Sequence, residues 1–157
     1  MSNELHLTSQ TTIGFLGDGQ LARMSALSAI EMGFQTAFYA ESNTSPCANL
    51  GLNVVAPRND RNALIEFARK VDVLTLENEF IDTDLLIAAS KETGKKIFPS
   101  PESFQKIRSK VVQKELFQRF QLRTADFERI STEDEALKFG SKHGFPFLLK
   151  TEFGGYD

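Results

Sequence analysis

The chain has 157 residues, 41% hydrophobic and 25% charged, with 18 basic and 21 acidic side chains and a formal net charge of -3. That is ordinary globular usage, and the length suffices to bury roughly 68–70% of the unfolded surface, so disorder, collagen-like repeats and coiled coil are excluded. The balance of charge also argues against a nucleic-acid binder driven by overall charge. The lone Cys47 permits neither an internal disulfide nor a thiol-based metal site, which fits a reducing compartment. Met1–Thr11 lacks the basic start and apolar stretch of a signal peptide, and no apolar run approaches the ~18 residues of a membrane span. The expectation is a soluble, cytoplasmic protein with no nucleic-acid or membrane partner.

Thr12–Leu16 is a short apolar run ending at glycine, which predicts a buried strand. A helix is expected from Gln20 to Met32, with Leu21, Met24, Leu27 and Ile30 spaced by three and Gly33 closing it. Strands follow at Thr36–Ala40 and, after the turn-rich Ser42–Pro46, at Leu52–Ala56. Asp60 suits the cap of a helix running to Lys70, with Leu64, Phe67 and Ala68 on one face. Val71–Leu76 reads as a strand, about Asp82 to Thr93 as a helix, and Lys96–Phe98 as another strand. Strands alternating with helices of this length indicate βαβ units and a parallel sheet. Residues 1–100 are therefore expected to form a doubly wound, Rossmann-like α/β domain.

Composition changes at Pro99-Ser100-Pro101, where Ser100 suits a helix cap and Pro101 the first helical position. Residues 101–123 are expected to be a helical linker. Between Lys91 and Arg123 nine basic side chains stand against three acidic ones, giving either a solvated helix face or an anion-binding surface. Thr124–Ile130 alternates weakly like a strand, and Ser131 with Asp134 has the spacing of a capping box. Phe145–Thr151 is a further apolar strand, followed by a glycine pair. Residues 124–157 thus read as the start of a second domain, and the chain as a truncated portion of something longer.

The strongest chemical signal is Gly14-Phe15-Leu16-Gly17-Asp18-Gly19-Gln20-Leu21-Ala22, a glycine turn between a strand and a helix. Such glycines allow close approach of a ligand, and the helix start offers amides and a positive dipole end to an anion. With Glu41 ending the next strand, the turn permits the alternative of an NAD(P)-type dinucleotide-binding domain or a non-enzymatic nucleotide-binding module, although Asp18 places negative charge inside the loop. Glu77-Asn78-Glu79 lies where the carboxyl ends of open α/β sheets bind ligands, and could hold hydroxyls or an amine or be a solvated loop. Lys150 leaves an apolar strand just before Gly154-Gly155, placed either to meet phosphate as a point charge or merely to mark the strand's exit. His6, His143 and Cys47 have no catalytic grouping in the sequence.

In combination these segments resemble the 5-(carboxyamino)imidazole ribonucleotide synthase family of ATP-grasp ligases. Ile13–Met24 resembles its opening strand and G-x-G-Q-L-G-R-M turn, Ser45-Pro46-Cys47-Ala48 its S-P-A-A, and Asp72–Glu79 its D-V-V-T-Y-E-F-E. Pro99-Ser100-Pro101 resembles the P-S-P linker, Lys110–Lys114 the R-L-x-x-K stretch, and Phe145–Lys150 the F-P-x-V-L-K strand. Gly154-Gly155-Tyr156-Asp157 resembles the beginning of G-G-Y-D-G-K-G-Q. Ala22, Phe80 and Lys110 depart from the family's glycine, asparagine and arginine.

The resemblance implies a Rossmann-like pre-ATP-grasp domain followed by the truncated start of an ATP-grasp small domain. It implies an enzyme that uses ATP to carboxylate the amine of aminoimidazole ribonucleotide with bicarbonate, as a homodimer when full length. Lys110, Lys150, Gly154 and Gly155 would contact ATP, and Gly17, Gly19, Gln20, Leu21, Glu77 and Glu79 the ribonucleotide. Tyr156 and Asp157 would be catalytic, with Asp157 orienting the amine or taking its proton. No magnesium ligand is expected within these residues, because the resemblance puts the metal-binding carboxylates in a C-terminal part, and the chain alone is expected to be catalytically silent.

Overall fold

The computed structural model describes residues 7–154. The chain divides into two compact units, Met1–Phe104 and Gln105–Asp157. In the first unit, β1 (Thr12–Leu16), β2 (Gln35–Ala40), β3 (Leu52–Val55), β4 (Val73–Leu76) and β5 (Lys96–Phe98) form one sheet. All its pairings are parallel, in the order β3-β2-β1-β4-β5. Three helices connect the strands: α1 (Gln20–Glu31), α2 (Arg61–Arg69) and α3 (Thr83–Thr93). The doubly wound sheet expected from the alternation is therefore present. Among the described residues no helix is long and apolar enough to cross a membrane.

Successive strand residues point to opposite faces of a sheet. Leu16, Tyr39 and Leu74 accordingly face a core with Leu64, Phe67 and Leu86 of α2 and α3. Phe15 and Phe38, one residue earlier, face the other side, where their rings stack 5.4 Å apart against α1 and Cys47. Asp60 caps α2 by accepting from the Ala63 amide, as its position predicts, and Asp82 caps α3 through Asp84.

The evenly spaced apolar residues of α1 are not its buried face. Leu21 and Met24 are 63% and 60% exposed, and Leu27 and Ile30 are 40% exposed, whereas Ala22, Ala26 and Ala29 are buried. Small side chains let the helix axis lie close to the sheet, and the stacked phenylalanines fill the space beneath.

In the second unit the chain makes α5 (Lys110–Arg119) and α6 (Glu133–His143). The expected helical linker is interrupted: α4 (Pro101–Ile107) ends before Ser109, whose hydroxyl caps α5 by accepting from Val112. The capping box of α6 is one residue later than Ser131 and Asp134 suggest, with Thr132 as the cap and Glu135 as its partner. Ser131 instead donates its amide to Glu135, 2.7 Å away. Neither 124–130 nor 145–151 forms a strand. A strand exists only with a ladder partner, and the five described strands pair with one another alone. Leu148 and Leu149 accordingly stand 83% and 67% exposed. His143 lies 3.3 Å from Asp126 and 3.7 Å from Glu128 and stacks on Phe139.

Two consequences are measurable. Ala26→Leu should lower stability by about 1–3 kcal/mol through overpacking, while Met24→Gln should stay within about 0.5 kcal/mol of wild type. Urea midpoints decide this, and equal losses would contradict the inverted helix face. Burial, aided by the Glu77 and Asp18 carboxylates, pushes the Cys47 thiol from its ordinary 9.0 up to about 11. Burial, aided by Asp60 and Glu41, pushes the Tyr39 phenol from 10.0 up to about 12. The unfolded thiol ionises first, so its contribution is full below pH 9.0 and is lost as pH rises through about 11. Cys47→Ala should flatten the fall in denaturant midpoint across that window, and an unchanged slope would count against the buried neutral thiol.

Candidate functional site

β1 and β4 pair in register, with Leu16 opposite Leu76. The residue after each strand therefore lies beside its counterpart, and Glu77 comes to rest against the glycine turn. Its carboxylate accepts from the Gly19 amide at 3.0 Å and, more weakly, from the Ala22 amide at 3.4 Å. Gly19 supplies no side-chain cap to α1 and the first turn holds no acid. A residue 58 positions away thus caps this helix. Gly17 has φ +123°, and a side-chain carbon at Gly17 or Gly19 would collide with the Glu77 carboxylate.

Other contacts complete the turn. The Gly17 amide donates to Tyr39 O at 3.2 Å and the Glu77 amide to Leu16 O at 3.2 Å. Cys47 Sγ is 3.6 Å from Gly19 O, and Arg23 donates to Pro46 O at 2.7 Å, tying α1 to the Ser45-Pro46 turn. Burial, and then the Glu77 and Glu41 carboxylates, push the Asp18 carboxyl above its ordinary value, with the Ser45 hydroxyl opposing.

A small open cleft at these strand ends is lined by Gly17, Asp18, Tyr39, Glu41, Arg58 and Asn78. Glu41, the acid that suggested a ribose contact, is ion-paired with Arg58, whose guanidinium lies 5.1 Å from the Phe80 ring centroid. Arg58 was not singled out from the sequence, and only its place just after β3 could have drawn attention to it. Gln20 and Leu21 are exposed and Glu79 half-buried. Asn78 holds its loop by accepting from the Phe80 amide at 3.0 Å. The dinucleotide alternative is not favoured by this geometry, because a carboxylate of the protein stands where a pyrophosphate would need the helix amides.

In the second unit the N-terminus of α5 binds the segment leading into the glycine pair. Ser109 Oγ donates to Glu152 Oε1 at 2.7 Å, the Lys110 amide donates to Glu152 O at 3.0 Å, and Lys110 Nζ donates to Gly154 O. Gly154 has φ +68°. Nothing local in the sequence links Ser109 to Glu152, which is 43 positions away. Lys150 is exposed. Gly155, Tyr156 and Asp157, like His6, lie outside the described residues. Among the described residues no group of three or more His, Cys, Asp or Glu side chains could hold a metal ion.

Known proteins resemble this chain in sequence and fold. A phosphoribosylaminoimidazole carboxylase of Ogataea methanolica is 36% identical over 150 residues, spanning 93% of this chain and 28% of that protein. The ADP complex of an N5-carboxyaminoimidazole ribonucleotide synthetase matches with a TM-score of 0.86 at 30% identity, over 96% of this chain and 40% of that one. The N5-carboxyaminoimidazole synthase of Aspergillus clavatus, in complex with ADP and 5-aminoimidazole ribonucleotide, matches with a TM-score of 0.73 at 29% identity, over 88% and 37%. The chain therefore spans less than half the length of each of these proteins. The family model for the ribonucleotide synthetase preATP-grasp domain matches residues 10–108, the stretch that carries the sheet, the glycine turn and its Glu77 cap, and the chain belongs to that family.

Proposed function

We propose that this chain forms part of an ATP-grasp ligase of purine biosynthesis that carboxylates the amine of 5-aminoimidazole ribonucleotide with bicarbonate, converting ATP to ADP and phosphate. The observation that carries the reading is the likeness, over nearly the whole chain, to a synthetase solved with ADP. The Aspergillus clavatus relative, solved with both ADP and the ribonucleotide, supports the choice of substrates.

In this reaction a bicarbonate oxygen attacks the γ-phosphorus of ATP, ADP leaves, and carboxyphosphate forms. The ribonucleotide amine then attacks the carboxyl carbon, phosphate leaves, and the amine gives up a proton. Such chemistry depends on positioning and on compensation of charge. Lys110 and Lys150 supply point charges to the ATP phosphates, and Gly154 with Gly155 begins the loop that folds over them. Gly17, Gly19, Gln20, Leu21, Glu77 and Glu79 make the ribonucleotide-facing set, in which Glu77 acts by holding the turn. Tyr156 and Asp157 serve the amine, with Asp157 suited to take its proton. Magnesium, when bound, offsets phosphate charge, and we assign it no ligand in this chain. The complete enzyme is proposed to work in the cytoplasm as a homodimer.

Titration calorimetry of the ribonucleotide into this chain tests the reading. Wild type should bind it, and Gln20→Ala should bind roughly tenfold more weakly, a difference of about 1.4 kcal/mol. With ATP, bicarbonate and ribonucleotide together, ADP release by the chain alone should remain at background. A wild-type chain that ignores the ribonucleotide but binds NADH saturably would sink the proposal, and ribonucleotide-dependent ADP release would show the chain competent by itself.

A further inference from the structure

The glycine turn has the outline of a phosphate cradle, yet four of its amides are already engaged. The Gly17 amide is taken by Tyr39 O and the Arg23 amide by Gly19 O. Those of Gly19 and Ala22 are taken by the two oxygens of Glu77. Glu77 is itself held on two sides, its amide by Leu16 O and its Oε2 by Asn78 Nδ2 at 3.4 Å. The glycines that would admit a ligand phosphate instead admit this carboxylate, since a side-chain carbon at either position would strike it. A helix start favours one anion within its first turn, and here that anion is covalently part of the protein.

We infer that Glu77 is a specificity-determining and positioning residue: a resident anion that closes the glycine turn to phosphate and fixes the Gly19-Gln20-Leu21 backbone that the proposed substrate would meet. This deepens the reading above at the same site, although the closure to phosphate rests on the turn alone. A phosphate entering the turn would have to displace a tethered carboxylate, which competes intramolecularly. It would also approach Asp18, whose repulsion adds to the occupied donors, Glu41 being paired with Arg58. Removal of the carboxylate leaves the Gly19 and Ala22 amides facing a space of anion size.

The test is amide NMR of the full 157-residue chain, wild type, Glu77→Gln and Glu77→Ala, titrated with inorganic pyrophosphate. In wild type the Gly17–Ala22 amides should not respond saturably. In Glu77→Ala the Gly19 and Ala22 amides should lose their charge-assisted shift and pyrophosphate should bind there roughly tenfold or more tightly than to wild type. Glu77→Gln keeps the shape and one acceptor, so it provides the answer if the alanine variant does not fold. Its Gly19 and Ala22 resonances should move, and its pyrophosphate affinity should exceed that of wild type. A residue that merely stabilised the fold would lower the melting temperature without creating an anion site. Equal pyrophosphate affinity in wild type and Glu77→Gln, or unmoved Gly19 and Ala22 resonances, would overturn the inference. The two readings fail separately: wild type that ignores the ribonucleotide defeats the ligase proposal, whereas wild type that takes pyrophosphate at these amides defeats this one.

Discussion

A carboxylate set against the first turn of a helix organises the functional end of this sheet. Helix α1 begins with amides that have no intrahelical partner, and neither its Gly19 cap nor its first turn offers a side chain to meet them. Glu77 meets two of them from across the sheet. Hydrogen bonds to a charged group contribute on the order of 1.5–3 kcal/mol each, though the 3.4 Å contact to Ala22 stands at the weak end. The reach of Glu77 is set by the β1–β4 register, because a shift of one residue would send its side chain to the opposite face. Sheet pairing, helix start and glycine content are thus a single constraint: Gly17 and Gly19 carry no side chain because the carboxylate occupies that space.

A glycine-rich βα turn is usually read as an anion site, and the dipole argument is sound as far as it goes. What it leaves open is the identity of the anion. In a dinucleotide domain the ligand supplies it; here the protein does, and Asp18 adds a further acid inside the turn. The positive partners nearby are engaged as well, Arg58 with Glu41 and Arg23 with the Pro46 carbonyl. A turn so arranged presents the exposed Gln20 and Leu21 to a ligand, while the Gly17, Gly19 and Ala22 amides are taken. This suits recognition of hydroxyls or an amine better than of phosphate.

The first unit was legible in the sequence because its signals are local. Short apolar runs bounded by glycine, the Asp60 cap and the alternation of strand and helix each follow from a few adjacent residues. The face of α1 was not legible in the same way, since Leu21, Met24, Leu27 and Ile30 and the alanines Ala22, Ala26 and Ala29 both recur at helical spacing. Which stripe faces inward depends on the Phe15–Phe38 stack that takes up the volume beneath it. Size complementarity across a sheet is a tertiary property, and periodicity does not report it. The Glu77 cap escaped for a related reason: residues 58 positions apart meet only once the register is known. In the second unit, Phe145–Thr151 has the composition of a strand, yet composition cannot supply the neighbour that a ladder requires.

The Lys110 contacts in the second unit bear directly on its proposed use. Its ammonium group donates to the Gly154 carbonyl, a neutral acceptor, while Ser109 and the Lys110 amide hold Glu152. Bonds from an ammonium to an ionised acceptor are shorter and stronger than those to a neutral one. A nucleotide phosphate brought to this lysine would therefore be the preferred acceptor, and the Gly154 carbonyl would be released. Glu152 does not depend on that ammonium, because Ser109 and Arg129 hold its carboxylate and the Lys110 amide holds its carbonyl.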